Sequence, residues 1–317
     1  MRGGVAAERL GSGVPAPGRG APRSIGLSAV IIAATTHEPR VLTIRMGPDE
    51  ALPSGPLEAE HRTLEIGLRT WVERQTSERL GYVEQLYTFG DRDRVAAGGL
   101  VVAYLALVRE AAPSAVADAA WQSWYRYFPW EDWRDGRPAP LAPIEARLAG
   151  WATGARLREE RVELAFGLRA AAWNEELVLE RYELLYEAGI VAEAARDLGR
   201  PADGDAGVAM AVDHRRILAT AIGRLRGKIK YRPVVFELMP PAFTLLQLQR
   251  TVEALSGVRL HKQNFRRLVE QQGLVEETGA MSAATGGRPA RLVRFRREVL
   301  LERPAPGLRL RAGRRIS

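Results

Sequence analysis

The chain has 317 residues, of which 46% are hydrophobic and 26% are charged, and it contains no cysteine. This length allows two domains with buried cores. The lack of cysteine excludes disulfide bonds and thiolate metal sites, and it is typical of a reducing, cytoplasmic compartment. No apolar run approaches the roughly 20 residues that a membrane span requires. Residues 1–24 are rich in Gly, Pro, Ala and Arg, so we expect a disordered leader rather than a signal peptide.

The net charge of +8 is unevenly distributed along the chain. From Arg215 onward there are 22 Lys and Arg against 7 Asp and Glu, whereas the first 214 residues contain 24 against 31. Duplex DNA attracts clustered cations. The asymmetry therefore favours a DNA-binding domain joined to a separate, acidic sensing domain.

The first elements of the chain predict a compact α+β domain. Runs of β-branched residues indicate strands, and apolar residues at helical spacing indicate an amphipathic helix. The predicted elements are strands at 25–34, 40–45, 81–89 and 100–108, a loop at 52–56 and a helix at 63–75.

An insertion at about 111–155 departs from this pattern, and its stretch 121–133 is dense in aromatic residues. Two interpretations are open. The aromatic residues form a stacking platform for an adenine or a partner subunit, or they form an extension packed on the sheet. We favour packing, because large aromatic side chains contribute most when they are buried. Residues 138–143, with three prolines, predict a stiff link.

The segment between the insertion and the basic third predicts mainly helices. The predicted elements are a strand at 156–166, helices at 175–189, 191–198 and 214–230, and a hinge at 201–206. Asp213 is a candidate N-cap of the long helix. His214 beside it permits acid–base chemistry, but a structural histidine at a helix start is the commoner case. Basic residues near the end of this helix, including Arg226 and Lys228, suit its negative C-terminal dipole.

Two short helices and a hairpin are predicted near the C-terminus. Thr244 and Gln247 form a capping box, and Gly257 ends the first helix. The second helix is predicted over 261–272, and strands at 273–278 and 290–295 enclose a Gly-rich loop at 279–289. This order predicts a winged helix-turn-helix, which places its second helix in the DNA major groove. The alternative is a small packing unit whose charges are solvated.

Base contacts are expected from the exposed face of the second helix, because Arg or Lys pairs with guanine and Gln with adenine. The candidate DNA-binding residues are Thr244, Gln247, Lys262, Gln263, Asn264, Arg266, Arg267, Arg288 and Arg291. Thr244, Gln247 and the wing arginines are better placed for phosphates, which position the protein without specifying sequence. One helix reads few base pairs. We therefore expect a homodimer on a palindromic operator, with half-sites about 34 Å apart or a multiple of that distance.

Several motifs are similar to those of the Nudix-related transcriptional regulators of NAD metabolism. The motifs are Gln247-Leu248-Gln249, Lys262-Gln263-Asn264-Phe265-Arg266-Arg267, Gly287-Arg288-Pro289-Ala290 and, more weakly, Glu84-Gln85-Leu86-Tyr87-Thr88-Phe89-Gly90-Asp91. The resemblance implies a Nudix-like α/β/α sandwich at 25–205, a winged helix domain at 206–300 and a basic flexible tail at 301–317. It also implies no resident cofactor, but a nucleotide effector such as ADP-ribose or another NAD derivative. The effector-binding residues that it implies are Tyr87, Phe89, Asp91, Arg92 and Arg94.

The Nudix signature concentrates carboxylates on one helix face, where they hold the Mg²⁺ that activates water and neutralises pyrophosphate. Aligned from Gly55, this sequence keeps Arg69 and Glu73 but replaces three glutamates. The replacing residues are His61, Thr70 and Arg74. A guanidinium repels the dication, so neither a metal site nor hydrolysis is expected. Arg69 and Glu73 are predicted to form an intrahelical ion pair instead.

Two other functions remain open from the sequence. The first is a Nudix-type nucleoside-diphosphate-linked hydrolase that carries an accessory nucleic-acid-binding domain. The second is an RNA-associated module, since basic residues attract either nucleic acid.

Overall fold

A computed structural model of the protein describes residues 25–90, 99–109, 118–201, 206–282, 289–304 and 306–308. These residues form a mixed β-sheet covered by helices on both faces, followed by a smaller unit of helices and a hairpin. The expected α+β class is confirmed. The predicted leader, residues 1–24, lies outside the described residues. Among the helices of the described part, none is both long and apolar enough to cross a bilayer.

The sheet is built around a long strand near the start of the described chain. Its strands in the described ranges are β1 (Ile25–Ala34), β2 (Pro39–Met46), β3 (Asp49–Ala51), β4 (Ser54–Pro56), β5 (Tyr82–Phe89), β6 (Leu100–Leu107) and β7 (Ala119–Ser123). Strand β1 runs parallel to β6 and antiparallel to β2 and β4. Strand β5 completes the edge beside β6, and β3 and β7 both pair with β2. The continuous apolar pattern of β1 follows from its burial on both faces.

The segment 52–56, predicted as a loop, contains the short strand β4. Its residues pair with β1 between Gly26 and Ser28. Gly55 lies against the indole ring of Trp71, and a side chain at this position would overlap that ring. The prediction was wrong because glycine marks a close approach between a strand and a helix here, as well as a turn.

Side chains of β1 alternate between two hydrophobic cores. Leu27 and Ile31 pack with Leu68 of helix α1 (Leu64–Thr76), and Val30 and Ile32 lie in the core on the opposite face. Thr63 caps α1 by accepting a hydrogen bond from the amide of Ile66. The period-two alternation of the strand therefore gives the sheet one helical layer on each side.

The aromatic stretch 121–133 packs against the sheet. Trp121 belongs to β7, and the side chains of Trp124, Phe128 and Trp130 are fully buried in the core opposite α1. The interpretation as a packed extension is confirmed. Short 3-10 turns at Trp124–Arg126 and Pro129–Glu131 lead the chain away from the sheet.

Two elements after the aromatic stretch differ from the predictions. Helix α2 (Leu141–Ala152) starts inside the segment predicted as a stiff link, because a proline in a first helical turn lacks only an amide that has no partner there. Helix α3 (Arg156–Phe166) replaces the strand predicted over the same residues. Arg156 and Glu160 pair at 2.8 Å, four residues apart, as the helical spacing requires.

The next helices agree with the predictions. They are α4 (Val178–Glu187), α5 (Ala192–Asp197) and α6 (His214–Tyr231). Ile217, Ile222 and Leu225 of α6 lie in the core on the sheet face opposite α1. Asp213 is the N-cap residue of α6, but its side chain makes no capping hydrogen bond. Most of the predicted hinge, residues 202–205, lies outside the described residues.

The C-terminal unit has the predicted winged helix order. Its elements are a 3-10 turn (Val234–Glu237), α7 (Leu245–Ser256), α8 (Lys262–Gln272), β8 (Val275–Ser282), β9 (Ala290–Phe295) and α9 (Val299–Glu302). Gly257 and Gly273 end α7 and α8 with φ values of 75° and 56°, a left-handed conformation that glycine adopts at low cost. Strand β8 extends past the predicted residue 278.

Part of the segment predicted as a flexible tail packs on α6. Leu308 is fully buried, and its amide donates a hydrogen bond to the carbonyl of Ile229 at 3.1 Å. Arg232 donates to the carbonyl of Pro304 at 2.8 Å. Residues 309–317 of the predicted tail lie outside the described residues.

Candidate nucleic-acid interface

The first helix of the winged unit, α7, starts with the predicted capping box. The hydroxyl of Thr244 accepts from the amide of Gln247 at 3.1 Å, and the side-chain carbonyl of Gln247 accepts from the amide of Thr244 at 2.7 Å. Thr244 is only 4% exposed, whereas Gln247 is exposed. Thr244 is therefore placed to start the helix, and it presents little surface to a phosphate.

Helix α8 separates an apolar face from a polar one. Phe265 and Val269 are buried against the unit's core. Lys262, Gln263 and Arg266 lie on the outer face. These three side chains are exposed, and within the described residues none of them has a hydrogen bond or an ion pair. Their donors are therefore free for an external partner.

The other two candidates on α8 interact with each other. Arg267 donates to the side-chain carbonyl of Asn264 at 3.4 Å, and both residues are exposed. A contact of this length is weak, so the guanidinium keeps most of its donors free.

The wing carries arginine–glutamate pairs. Arg291 contacts Glu277 at 2.5 Å, and Arg294 contacts Glu276 at 2.6 Å, each across the β8–β9 ladder. A phosphate that binds Arg291 has to compete with this carboxylate. The predicted contact residue Arg288 lies outside the described residues.

Sequence reasoning missed two exposed cations in the winged unit. Arg250 lies on α7 and Arg297 follows β9, and neither has an ion pair with another residue of the described part. Their only sequence signal was membership of the basic third of the chain. Arg297 also lines a cleft of about 530 Å³ between the wing and Arg109 at the end of β6.

The predicted effector residues lie at the end of β5. Tyr87 is 62% exposed and meets the buried ring of Phe89 edge-on, with 5.3 Å between the ring centroids. Asp91, Arg92 and Arg94 lie outside the described residues. Of this set, Tyr87 presents an aromatic face to solvent.

The residues predicted to replace the Nudix glutamates all have structural partners. Thr70 donates to the carbonyl of Ile66 at 2.9 Å, one helical turn back. The Nδ1 atom of His61 accepts from the amide of Glu58 at 3.1 Å, and Arg74 lies 3.5 Å from the Glu58 carboxylate.

The predicted ion pair between Arg69 and Glu73 is wrong. Arg69 pairs with Glu65 at 2.8 Å and also donates to the carbonyls of Leu80 and Gly81, which turn back toward α1. Glu73 pairs with Arg79 at 3.2 Å. Each carboxylate of this helix face is thus matched by a cation. Among the described residues there is no group of three or more His, Cys, Asp or Glu able to hold a metal ion.

Comparison with known proteins shows which protein family the winged unit resembles. Residues 235–295 match the NrtR DNA-binding winged helix domain family. The ADPR responsive transcriptional repressor NtrR of Acinetobacter baylyi is 44% identical over 86 residues, which are 27% of this chain and 34% of the relative. The chain thus spans about a third of that relative's length.

Solved structures share the whole architecture. The structure of Shewanella oneidensis NrtR has a TM-score of 0.54 at 21% identity, covering 87% of this chain and 95% of its own. The same protein complexed with a 27mer DNA gives 0.55 at 21%, covering 87% and 94%. A MutT/nudix family protein from Enterococcus faecalis gives 0.54 at 16%, covering 89% and 90%. At these identities the likeness establishes the fold, a Nudix-like sheet domain followed by a winged helix.

Proposed function

We propose, from the NrtR-type winged helix domain at residues 235–295, that this chain is a sequence-specific DNA-binding transcriptional regulator. The outer face of α8 carries the proposal, because Lys262, Gln263 and Arg266 are exposed there without partners among the described residues. A helix of this kind fits the major groove, where these side chains match the acceptors of guanine and adenine. Arg250, Arg291 and Arg297 are proposed as phosphate contacts, which supply affinity rather than selectivity.

The experiment that tests this proposal is selection of bound sites from a random pool of DNA duplexes. We expect one recurring sequence, bound more tightly than random duplex, with an affinity that falls as salt rises. A mobility-shift competition between duplex DNA and structured RNA distinguishes this proposal from the alternative of an RNA-associated module. Equal binding to all duplexes, or a preference for RNA, would contradict the proposal.

Arg266 provides the sharpest test of the α8 placement. Replacing Arg266 by Ala removes a donor pair for guanine, so discrimination at one base position should fall by about 1–3 kcal/mol. The measurement compares the affinity of the selected duplex with that of duplexes altered one base pair at a time.

A matched control for Arg266→Ala is Arg156→Ala on α3. Arg156 is an exposed arginine paired with Glu160, so its removal changes the net charge equally without touching the winged unit. Base preference should stay unchanged in this variant. The placement of α8 is wrong if Arg266→Ala leaves both affinity and base preference intact.

The proposed effector is ADP-ribose or a related NAD derivative. The Acinetobacter baylyi relative is described as ADPR responsive, and we extend that response to this chain. Exposed Tyr87 is suited to stacking on an adenine, next to the segment that contains the predicted residues Asp91, Arg92 and Arg94. An effector changes DNA affinity only if it binds the free and DNA-bound forms unequally. Titration with ADP-ribose should therefore shift the DNA dissociation constant by about fivefold or more.

We further propose that the Nudix-like domain binds without hydrolysing. Glu65 and Glu73 of α1 and Glu58 of the preceding loop each pair with a cation, and the described residues contain no group of three or more His, Cys, Asp or Glu that could hold Mg²⁺. Incubation with Mg²⁺ and ADP-ribose should release no AMP. Sustained turnover would favour the hydrolase alternative.

The proposed DNA target is a palindrome bound by a homodimer. Two copies of α8 related by a two-fold axis would read half-sites about 34 Å apart, or a multiple of that distance. Sedimentation of the free protein and of its DNA complex measures the number of chains in each.

A further inference from the structure

The C-terminal end of α7 is capped by side chains from two other segments of the chain, 129 and 29 positions away in sequence. The last carbonyl groups of a helix lack partners within the helix. Here the carbonyl of Ala254 accepts from the hydroxyl of Tyr125 at 2.7 Å. The carbonyl of Leu255 accepts from Nε of Arg226 at 3.0 Å. The aromatic stretch and α6 therefore act as a C-terminal cap for a helix of the winged unit.

The turn between α7 and α8 is held by the same segment. The amide of Trp133 donates to the carbonyl of Gly257 at 2.7 Å. Arg259, in that turn, reaches the carboxylate of Asp135 at 3.0 Å and the carbonyl of Arg134 at 3.2 Å. The backbone that leads into α8 is thus attached directly to residues 133–135.

These capping residues are themselves fixed by a buried ionic cluster. The carboxylate of Glu131 contacts Arg181 at 2.5 Å and Arg226 at 2.6 Å, and all three side chains are almost completely buried. Burial alone would raise the pKa of Glu131, but the two guanidinium groups hold it below its usual value. Removing Glu131 from its two partners would leave charges unpaired in the interior, which is strongly destabilising.

We infer that residues 125–135, together with Arg226, form a docking platform that positions the DNA-reading helix α8 relative to the sensing domain. The inference rests on the proposed function for its consequence in DNA binding, but the geometry stands without it. Tyr125 and Arg226 are positioning residues, since they act on DNA only through α7 and the turn. The aromatic stretch therefore positions α7 in addition to packing in the core.

The platform is connected to the strand of the proposed effector site. Helix α6, which carries Arg226, also carries Lys228, and Lys228 pairs with Glu84 of β5 and donates to the hydroxyl of Tyr82 at 2.9 Å. Tyr87 lies further along the same strand. A displacement of β5 on effector binding would therefore be transmitted to the platform through α6.

The variant that tests the platform is Tyr125→Phe, which keeps the ring and removes only the hydroxyl that caps Ala254. The chain has no cysteine, so spin labels attach only at cysteines introduced on purpose. Exposed Gln271 on α8 and Leu164 on α3, which is 64% exposed, are suitable sites. Pulsed electron resonance then measures the distance between α8 and the sensing domain.

We expect a narrow distance distribution in the labelled parent and a broader or displaced one in Tyr125→Phe. DNA binding should weaken by about three- to tenfold, because association must now order α8. The preferred sequence should not change, since the base-reading side chains are intact. This pattern differs from that of Arg266→Ala, which alters preference.

The matched control is Tyr231→Phe, at a half-exposed tyrosine whose hydroxyl makes no hydrogen bond to a described residue. Its distance distribution should equal that of the parent. If Tyr125→Phe loses its cooperative melting transition, Arg259→Gln replaces it, with the same expected broadening. An unchanged distribution in a folded variant overturns the inference. Broadening in a protein that binds no DNA supports the platform and refutes the proposed function alone.

Discussion

His214 begins α6 with its ring buried against the sheet domain. Its Nδ1 atom accepts a hydrogen bond from the amide of Leu52 at 3.0 Å, so the neutral ring satisfies a backbone donor of the strand region. Burial, assisted by the positive charge of Arg196, lowers the pKa of His214 to about 4. His214 therefore has a structural role, and its buried ring does not face a substrate.

The buried His214 predicts a specific acid sensitivity. The unfolded ring has a pKa of about 6.5, above the folded value, so the unfolded chain takes up the proton first as the pH falls. The stabilising contribution of His214 is complete above about pH 6.5 and is lost as the pH falls toward 4. Between pH 7 and pH 5 the loss should be about 2 kcal/mol. Urea unfolding at both pH values measures it.

The comparison variant for this titration is His214→Asn, whose side-chain carbonyl can accept from Leu52 but does not titrate. Its stability should fall less than the parent's between pH 7 and pH 5, by about the same 2 kcal/mol. Carboxylates contribute equally to both proteins and cancel in the difference. Identical pH profiles would show that the ring is not held neutral by the fold.

The hydrogen bonds and ion pairs of single residues could be predicted where the partners lie close together in sequence. Thr244 and Gln247 lie three positions apart, and their capping box formed as expected. Arg69 lies four positions from Glu73, but the turn at Leu80 and Gly81 supplies competing acceptors that the helical spacing does not reveal. Arg226 was expected to interact with the negative C-terminal end of its own helix. Its partner Glu131 is 95 positions away, so only the tertiary structure brings the two together.

The ends of α7 and α8 provide a matched pair of glycines. Gly257 and Gly273 both have left-handed backbones, with φ values of 75° and 56°. A methyl group on Gly257 would overlap the carbonyl oxygen of Glu131 and lie 3.0 Å from the hydroxyl of Tyr125. A methyl group on Gly273 would find only the end of the Arg296 side chain, at 3.6 Å. The two positions share the conformational demand and differ in the space around them.

Alanine substitution at each glycine should therefore cost different amounts. Gly273→Ala should lower the free energy of unfolding by about 1–2 kcal/mol, the cost of a left-handed alanine. Gly257→Ala should cost about 1–3 kcal/mol more, because the docking surface has to move. Chemical denaturation of both variants gives the difference. Equal costs would mean that α7 is not in tight contact with residues 125–135.

Whole elements could be predicted where periodicity and end signals agreed. Helices α1, α7 and α8 each showed an apolar stripe, and Gly257 and Gly273 marked the ends of α7 and α8. All three helices formed within a residue or two of the expected bounds. Helix α3 was mistaken for a strand because its exposed side carries hydrophobic residues: Leu157 and Leu164 are 76% and 64% exposed. Strand β4 was missed because its signal is pairing with β1, which no local pattern contains.

At the scale of the molecule, α6 joins the two proposed domains rather than belonging to one. Its apolar face lies in the sheet core, Arg226 reaches α7, and its C-terminal end receives residues 306–308. The domain boundary near residue 206 stays a prediction, because α6 packs in the sheet core and also contacts α7. The winged helix order and the division of charge were accessible from sequence, whereas the packing of the late segment on α6 was not.

This packing predicts unequal effects of two C-terminal truncations. Chains that end at Leu308 or at Pro304 lose the same basic residues, all of which follow Leu308. The shorter chain also loses the buried Leu308 side chain, which should lower stability by a further 1.5–3 kcal/mol or so. Thermal unfolding of the two chains measures this difference. Equal melting temperatures would indicate that Leu308 is not buried in solution.

The capping of α7 from outside the winged unit also bears on whether this unit can be transferred to another protein. In an isolated winged helix of residues 235–295, the carbonyl groups of Ala254 and Gly257 would hydrogen-bond to water instead of to Tyr125 and Trp133. A chimera that joins residues 235–295 to another protein keeps the exposed face of α8 but loses the contacts that fix its orientation. Transfer of the winged unit should therefore preserve this orientation only when residues 125–135 are transferred with it.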